Sequence, residues 1–207
     1  MCISTSRRTV AFALVFFLSS AMLCSVQVSA APPPPDGWIF EQYGLSYDEA
    51  SLISYLQNGL PNELVDKNGE KLPAYRSRFQ FYPEIVRLLA KAKSEAAVPI
   101  LCDMLTSLPP ALAEDLAASV TRSEKPDSRR DYSLVFFQGN CAAALGEIGM
   151  DTAIPALLDF VRRLLPELKL NIETGNYPPY QYAFRAACVA LGLLGEEEGL
   201  ALLMAAL

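Results

Sequence analysis

From about residue 80 onward, apolar positions recur at the spacing of helices that each bury one face. The clearest case lies between Cys141 and Leu165. Ala142, Ala143, Leu145 and Ile148 form one stripe whose small residues suit two helices in close approach, and Ile154, Leu157, Leu158, Val161 and Leu165 form a second. Gly149 separates them, and glycine enters the left-handed conformation that closes helices at no steric cost. Asp151 is placed to cap the second helix, and Pro155 falls in its first turn, where a missing N–H is tolerated.

The same frame fits twice more. Gly192 and Gly195 match Gly146 and Gly149, and Leu200 and Leu203 match Ile154 and Leu157. Upstream, Leu89, Ala97, Val98, Pro99 and Leu101 match Leu145, Ala153, Ile154, Pro155 and Leu157. The steps between copies are unequal, so inserts separate the units, at spacings near those of two-helix repeats.

The segment ALGEIGMDTAIPALLDF (Ala144–Phe160) resembles a HEAT-type repeat, of the short bacterial kind also found in phycobilisome-lyase-like proteins. Ala187–Leu203 and, more weakly, Leu88–Met104 share the likeness. Two positions depart from it. Met150-Asp151 stands where an acidic residue and then proline often open the second helix, and Gly139 holds the place of the arginine that Arg185 supplies one repeat later. The resemblance implies an all-α fold, an α-solenoid of about three irregular helix pairs used for binding. It implies no lyase chemistry, because the repeat itself carries no catalytic residue.

Ahead of the repeats, residues 1–30 have the form of an export signal, with Arg7 and Arg8 before an apolar core from Val10 to Leu18 and Val28-Ser29-Ala30 at the cleavage site. Ala11 departs from the twin-arginine motif, so ordinary Sec export is expected, with cleavage after Ala30 and a periplasmic or extracellular product. Cys24 lacks the preceding pattern of a lipid anchor, and an uncleaved signal serving as a membrane anchor is the alternative. No later stretch is apolar enough to span a bilayer. Residues 31–36 (APPPPD) form a stiff extended linker.

Residues 37–82 are expected to cap the first repeat with Trp38, Ile39, Phe40 and Tyr43, as solenoids require at their ends. Ser46-Tyr47-Asp48-Glu49 has the pattern of a capping box, opening a helix that stops at Gly59. Asp66-Lys67-Asn68-Gly69 predicts a tight turn or small hairpin. Tyr75, Ser77, Phe79 and Phe81 alternate with Arg76, Arg78 and Gln80 as in a short strand with solvated arginines. The repeat domain then spans 83–207, with inserts at 105–132 and 166–182. In the first, Leu112, Leu116 and Val120 predict an extra helix, and Ser123–Asp131 reads as a charged loop and a candidate mobile segment. The second, Asn171–Tyr182, is rich in turn residues and tyrosine.

Composition narrows the chemistry. The 207 residues include no histidine, which removes the commonest general base and most zinc sites. Glu196-Glu197-Glu198 suits a helix N-terminus better than a metal. Asp103 and Asp159 would act as paired carboxylates only across a shared cleft. Cys102, Cys141 and Cys188 fall on small or apolar helix positions, as buried free thiols do. The net charge of −6 becomes more negative once Arg7 and Arg8 leave with the signal, which excludes nucleic acid as a partner.

The sequence therefore predicts an exported, non-catalytic scaffold or adaptor without cofactor or metal. It binds another protein and makes no membrane contact beyond an uncleaved signal. The C-terminal helix, LALLMAAL, lacks a polar face and offers a surface for self-association. Asp159, Arg162 and Arg163 on one helix, with Tyr177 and Tyr180 in the second insert, are the candidate partner-binding residues. The alternative is a peptide- or glycan-binding module using the aromatic N-terminal region and the tyrosine-rich loop, which requires an exposed Trp38.

Overall fold

Leu89, Leu145 and Leu191, matched in the repeated frame, are all fully buried. Each lies one turn before a helix end where the backbone turns left-handed, at Lys93 (φ 55°), Gly149 (φ 87°) and Gly195 (φ 77°). After Lys93 and Gly195 the next amide reaches back to the buried leucine's carbonyl, Ser94 N–H to Leu89 at 3.0 Å and Glu196 N–H to Leu191 at 2.9 Å. At Gly149 a shorter closure serves, its own N–H donating to Leu145 at 3.1 Å. Lysine in this conformation costs about 1–2 kcal/mol. Its side chain has work to do there, since Lys93 Nζ donates to the Glu147 carbonyl in the last turn of a neighbouring helix.

The computed structural model describes residues 36–72, 78–120, 126–174 and 179–205. Their helices are α1 (Trp38–Gln42), α2 (Glu49–Asn58), α3 (Phe81–Lys91), α4 (Val98–Met104), α5 (Pro110–Val120), α6 (Pro126–Ile148), α7 (Ile154–Thr174), α8 (Pro179–Leu193) and α9 (Glu197–Ala205). Short 3-10 turns at Glu95–Ala97 and Asp151–Ala153 lead into α4 and α7. No strand occurs among the described residues. Val65 and Lys71 form an isolated antiparallel bridge around the turn expected there, with Gly69 left-handed and Asp66 accepting from the Asn68 and Glu70 amides at 2.8 Å. The expected signal, the linker as far as Pro35, Arg76 and Tyr177 lie outside the described residues.

Helix α6 packs between α3 and α8, while α4 lies against α6 and α7, and α7 and α9 against α8. Glycine sets the α6–α8 approach. A Cβ on Gly146 would stand 2.5 Å from Ala190 Cα, and one on Gly139 would stand 2.7 Å from the Tyr182 ring and 3.0 Å from Ala183 Cα. Gly139 thus departs from the arginine of the repeat pattern because α8 occupies that space. Ala97, Ala153 and Gly199 hold another matched place. The two alanines are fully buried, and a Cβ on Gly199 would strike Leu191 Cβ at 2.5 Å.

Several local expectations are corrected. Residues 78–80 form a 3-10 turn and Phe81 opens α3, so the expected strand at Tyr75–Phe81 is not formed over its described part. Phe79, Tyr82, Val86 and Leu89 already follow helical spacing, and all are buried. Arg78 is no solvated residue: it donates to Asp115 (2.7 Å) and to the carbonyls of Leu60 (2.8 Å), Pro61 (2.6 Å) and Asn62 (3.1 Å). Tyr82 Oη donates to the other Asp115 oxygen at 2.7 Å. One arginine thereby satisfies the carbonyls that α2 and its loop leave open, and ties them to α5.

Asp48, rather than Ser46, caps α2, accepting from Ser51 N–H at 2.9 Å, and Ser46 Oγ donates to the same carboxylate. Asp151 makes no side-chain cap. In the first pair the cap comes from Ser94, which accepts from Ala97 N–H at 3.2 Å and donates to Glu49 at 2.5 Å. Pro126–Asp131, expected in a loop, begins α6, since proline's fixed φ suits a first helical turn. Helix α7 continues through Pro166 to Thr174 and so includes the start of the second expected insert.

Candidate functional site

Of the candidate residues from sequence, Asp159, Arg162 and Arg163 share α7 but are engaged differently. Arg162 donates to Glu198 on α9 at 2.7 Å and more weakly to Asp159 at 3.5 Å. The Glu198 carboxylate, more than Asp159, raises the arginine's pKa. Both partners are well exposed, so solvent screens the pair and it contributes little to stability. Arg163 turns the other way, donating to the Leu105 carbonyl with its guanidinium 5.5 Å above the Phe160 ring. Buried Gln138 on α6 donates to the Met104 and Leu105 carbonyls at 3.2 and 3.0 Å. These two side chains close the C-terminal end of α4, where positive charge is favoured, and join three helices. Asp159 remains open to solvent. Tyr180, at the start of α8, is half-buried and packs on the core, and Tyr177 is outside the described residues.

The acidic and thiol groups are placed for structure. Glu196 Oε1 accepts from Glu198 N–H at 3.2 Å at the head of α9, the capping expected of that run. Asp103 lines an open hollow of about 670 Å³ with Gln57, Ile100 and the Thr106–Pro110 turn, and Asp159 is not among its walls. Burial raises the pKa of Cys141, raises that of half-buried Cys102 with help from Asp103, and lifts the buried Cys188 thiol to about 11. All three are free and protonated at neutral pH, which suits packing rather than nucleophilic attack. Among the described residues no group of three or more Cys, Asp or Glu is placed to hold a metal ion. No described helix is long and apolar enough to cross a membrane.

Between α3 and α6 runs a groove of about 430 Å³ whose floor includes Val86, Ala90, Ala143 and Ala144. Glu84 and Arg87 form one rim and Glu147 the other. Arg87 is fixed by Glu84 at 2.7 and 2.8 Å and by Asp36 at 2.6 Å, and Asp36 also accepts from Lys91. The lysine and then the arginine lower the pKa of Asp36. This rim is therefore neutralised within the chain, and on that side the groove offers shape and apolar contact more than charge.

Phe136 lines one end of the groove and stacks on Tyr182 of α8, ring centroids 4.8 Å apart and planes at 22°. Both rings are about 40% exposed, an unusual state for large aromatics that already have a partner. Tyr182 Oη donates to Asn140 Oδ1 at 2.7 Å, which fixes the ring over Gly139. These residues were not among the sequence candidates. The signal was present, since Phe136 precedes Gly146 by the same interval that separates Tyr182 from Gly192.

At the N-terminal end, Phe40 and Tyr43 are buried edge-on against Phe81, with centroids 6.0 and 5.6 Å away. Trp38 is 37% exposed.

Residues 137–163 match the family model of the PBS lyase HEAT-like repeat. No curated protein and no solved structure matches the chain. The matched stretch covers the second half of α6, the Gly149 turn and the first half of α7, and the chain is accordingly a HEAT-like repeat protein.

Proposed function

We propose that this protein is an exported, non-catalytic scaffold or adaptor: an α-solenoid of three helix pairs, α3–α4, α6–α7 and α8–α9, that binds another protein. The observation that carries the reading is the α3–α6 groove ending at the Phe136–Tyr182 stack. A floor of small apolar residues beside exposed, rigid aromatics is the arrangement that anchors a partner side chain at low entropic cost. The fit is to one helix or extended segment presenting an apolar side chain against the aromatic stack. Export rests on residues 1–30. The peptide- or glycan-binding alternative draws support from the exposure of Trp38 alone, since Phe40 and Tyr43 are core residues.

Site-specific photocrosslinking in the exporting cell tests this reading. A photoreactive phenylalanine analogue at Ala143, in the groove, is compared with one at exposed Lys67, in a turn that does not line it. The expected result is one dominant crosslinked protein from position 143 and none from position 67. Equal patterns from the two positions, or none from either, would overturn it. Quenching of Trp38 fluorescence by an oligosaccharide or peptide would favour the alternative.

A further inference from the structure

The interface by which α6–α7 receives α8–α9 has a counterpart on α8–α9 itself that stands open. On α6, Gly146 admits Ala190 to within 2.5 Å of where a Cβ would be. The matched Gly192 on α8 has nothing within 4 Å. On α7, Ile154 and Leu158 are partly buried against the core. Their matched residues on α9, Leu200 and Met204, are 62% and 64% exposed. Two large apolar side chains and a bare glycine thus lie on a face whose register counterpart is covered by two helices.

Charge on this face indicates what covers it. Arg185 shares the exposed stripe of α8 with Gly192, two helical turns away, and makes no ion pair among the described residues. Glu197 opens the matching stripe of α9, one turn before Leu200. It is likewise unpaired, whereas its neighbour Glu198 turns back to Arg162. Among the described residues the face thus carries the Arg185 cation and the Glu197 anion towards opposite ends of an apolar strip. We propose that a second copy of this chain packs here about a two-fold axis running across the helices, with α8 antiparallel to its counterpart and α9 to its own. Arg185 then meets Gly192 of the other copy, where no side chain obstructs it, and reaches that copy's Glu197. Leu200 and Met204 pack around the axis. An isologous contact must be self-complementary, and this face is. The inference is independent of the groove between α3 and α6.

Sedimentation equilibrium on the protein purified as the cell delivers it tests the proposal. The wild type forms dimers, and Leu200→Glu with Met204→Glu leaves monomers with unchanged helical circular dichroism. Arg185→Glu or Glu197→Arg alone weakens dimerisation by about tenfold, and combining the two restores most of it, because the swapped charges again meet across the axis. All four side chains are exposed, so folding is not at stake in these variants. A wild type that stays monomeric at concentrations of order 100 µM would overturn the proposal. So would a dimer indifferent to the apolar pair, or a double charge swap no tighter than its single variants.

Discussion

Phe136 and Tyr182 occupy the same place in the repeated sequence frame, and their rings stack face to face at 4.8 Å while both remain open to solvent. Two aromatic residues laid in register by a repeat make a small, rigid, partly apolar platform. Its position at the end of the α3–α6 groove connects the repeat frame, through helix packing, to the proposed binding surface.

Gly146 and Gly192 are matched in the frame but should answer the same substitution with opposite signs. Gly146→Ala puts a methyl into Ala190 and its backbone, forcing α6 and α8 apart at a cost of about 1–3 kcal/mol. Gly192→Ala meets nothing and removes the conformational penalty of glycine inside a helix, a gain of about 0.5–1 kcal/mol. Urea unfolding of the two variants, at concentrations low enough to keep the chain monomeric, reads both signs. Equal effects would mean that α8 does not approach α6 as described.

The Arg78–Asp115–Tyr82 cluster should matter far more than the exposed Arg162–Glu198 pair. Asp115→Ala leaves a part-buried guanidinium without its counter-charge and Tyr82 Oη without its acceptor, and should destabilise by about 2–3 kcal/mol. Glu198→Ala should barely move the unfolding midpoint, because solvent screens that exposed pair. Comparison of unfolding midpoints checks the order, and a reversed order would contradict the clamp.

Asp48 ties the stability of α2 to pH. The Ser46 hydroxyl, and then the amide and hydroxyl of Ser51, pull its carboxyl from the ordinary 3.8 down to about 2. The folded value is depressed, so the contribution is fully present above the unfolded pKa near 4. It is lost as pH falls through the folded value near 2. Wild type and Asp48→Ala should therefore differ in unfolding free energy at pH 6 and converge towards pH 2. A gap constant from pH 6 to pH 2 would exclude the carboxylate as the cap.

Thiol labelling should rank the cysteines by burial. Half-buried Cys102 should react with a neutral-pH thiol reagent before Cys188, and fully buried Cys141 only on unfolding. Mass spectrometry of timed labelling reads the order, and early modification of Cys141 would contradict the packing of α6 against α4.

The sequence made the helices of the repeat region legible because their signals are local: the Gly149 and Gly195 stops, the Val-Pro and Ile-Pro openings, and the buried leucines one turn before each stop. It misread Arg78–Phe81, the described part of the expected strand, because a two-residue alternation and a helical stripe coexist there, and only packing against α5 and α6 decides between them. Lys93 was invisible as a helix stop, since its left-handed backbone is held by a contact with Glu147, far away in sequence. Arg163 stood among the candidate partner-binding residues, yet it closes the end of α4, a contact no local pattern announces. The groove and its aromatic end depend on which helices become neighbours, and so appear only in three dimensions.

The most direct test of the binding surface is capture of the partner by the wild-type protein and by the double variant Phe136→Ala/Tyr182→Ala, alongside the unfolding midpoint of each. Losing an exposed aromatic stack should cost about 0.5–1.5 kcal/mol of stability, leaving the fold intact, while partner capture falls by at least about tenfold, the size expected of a central aromatic anchor. Undiminished capture by a correctly folded double variant would contradict the account and move the binding surface elsewhere on the molecule.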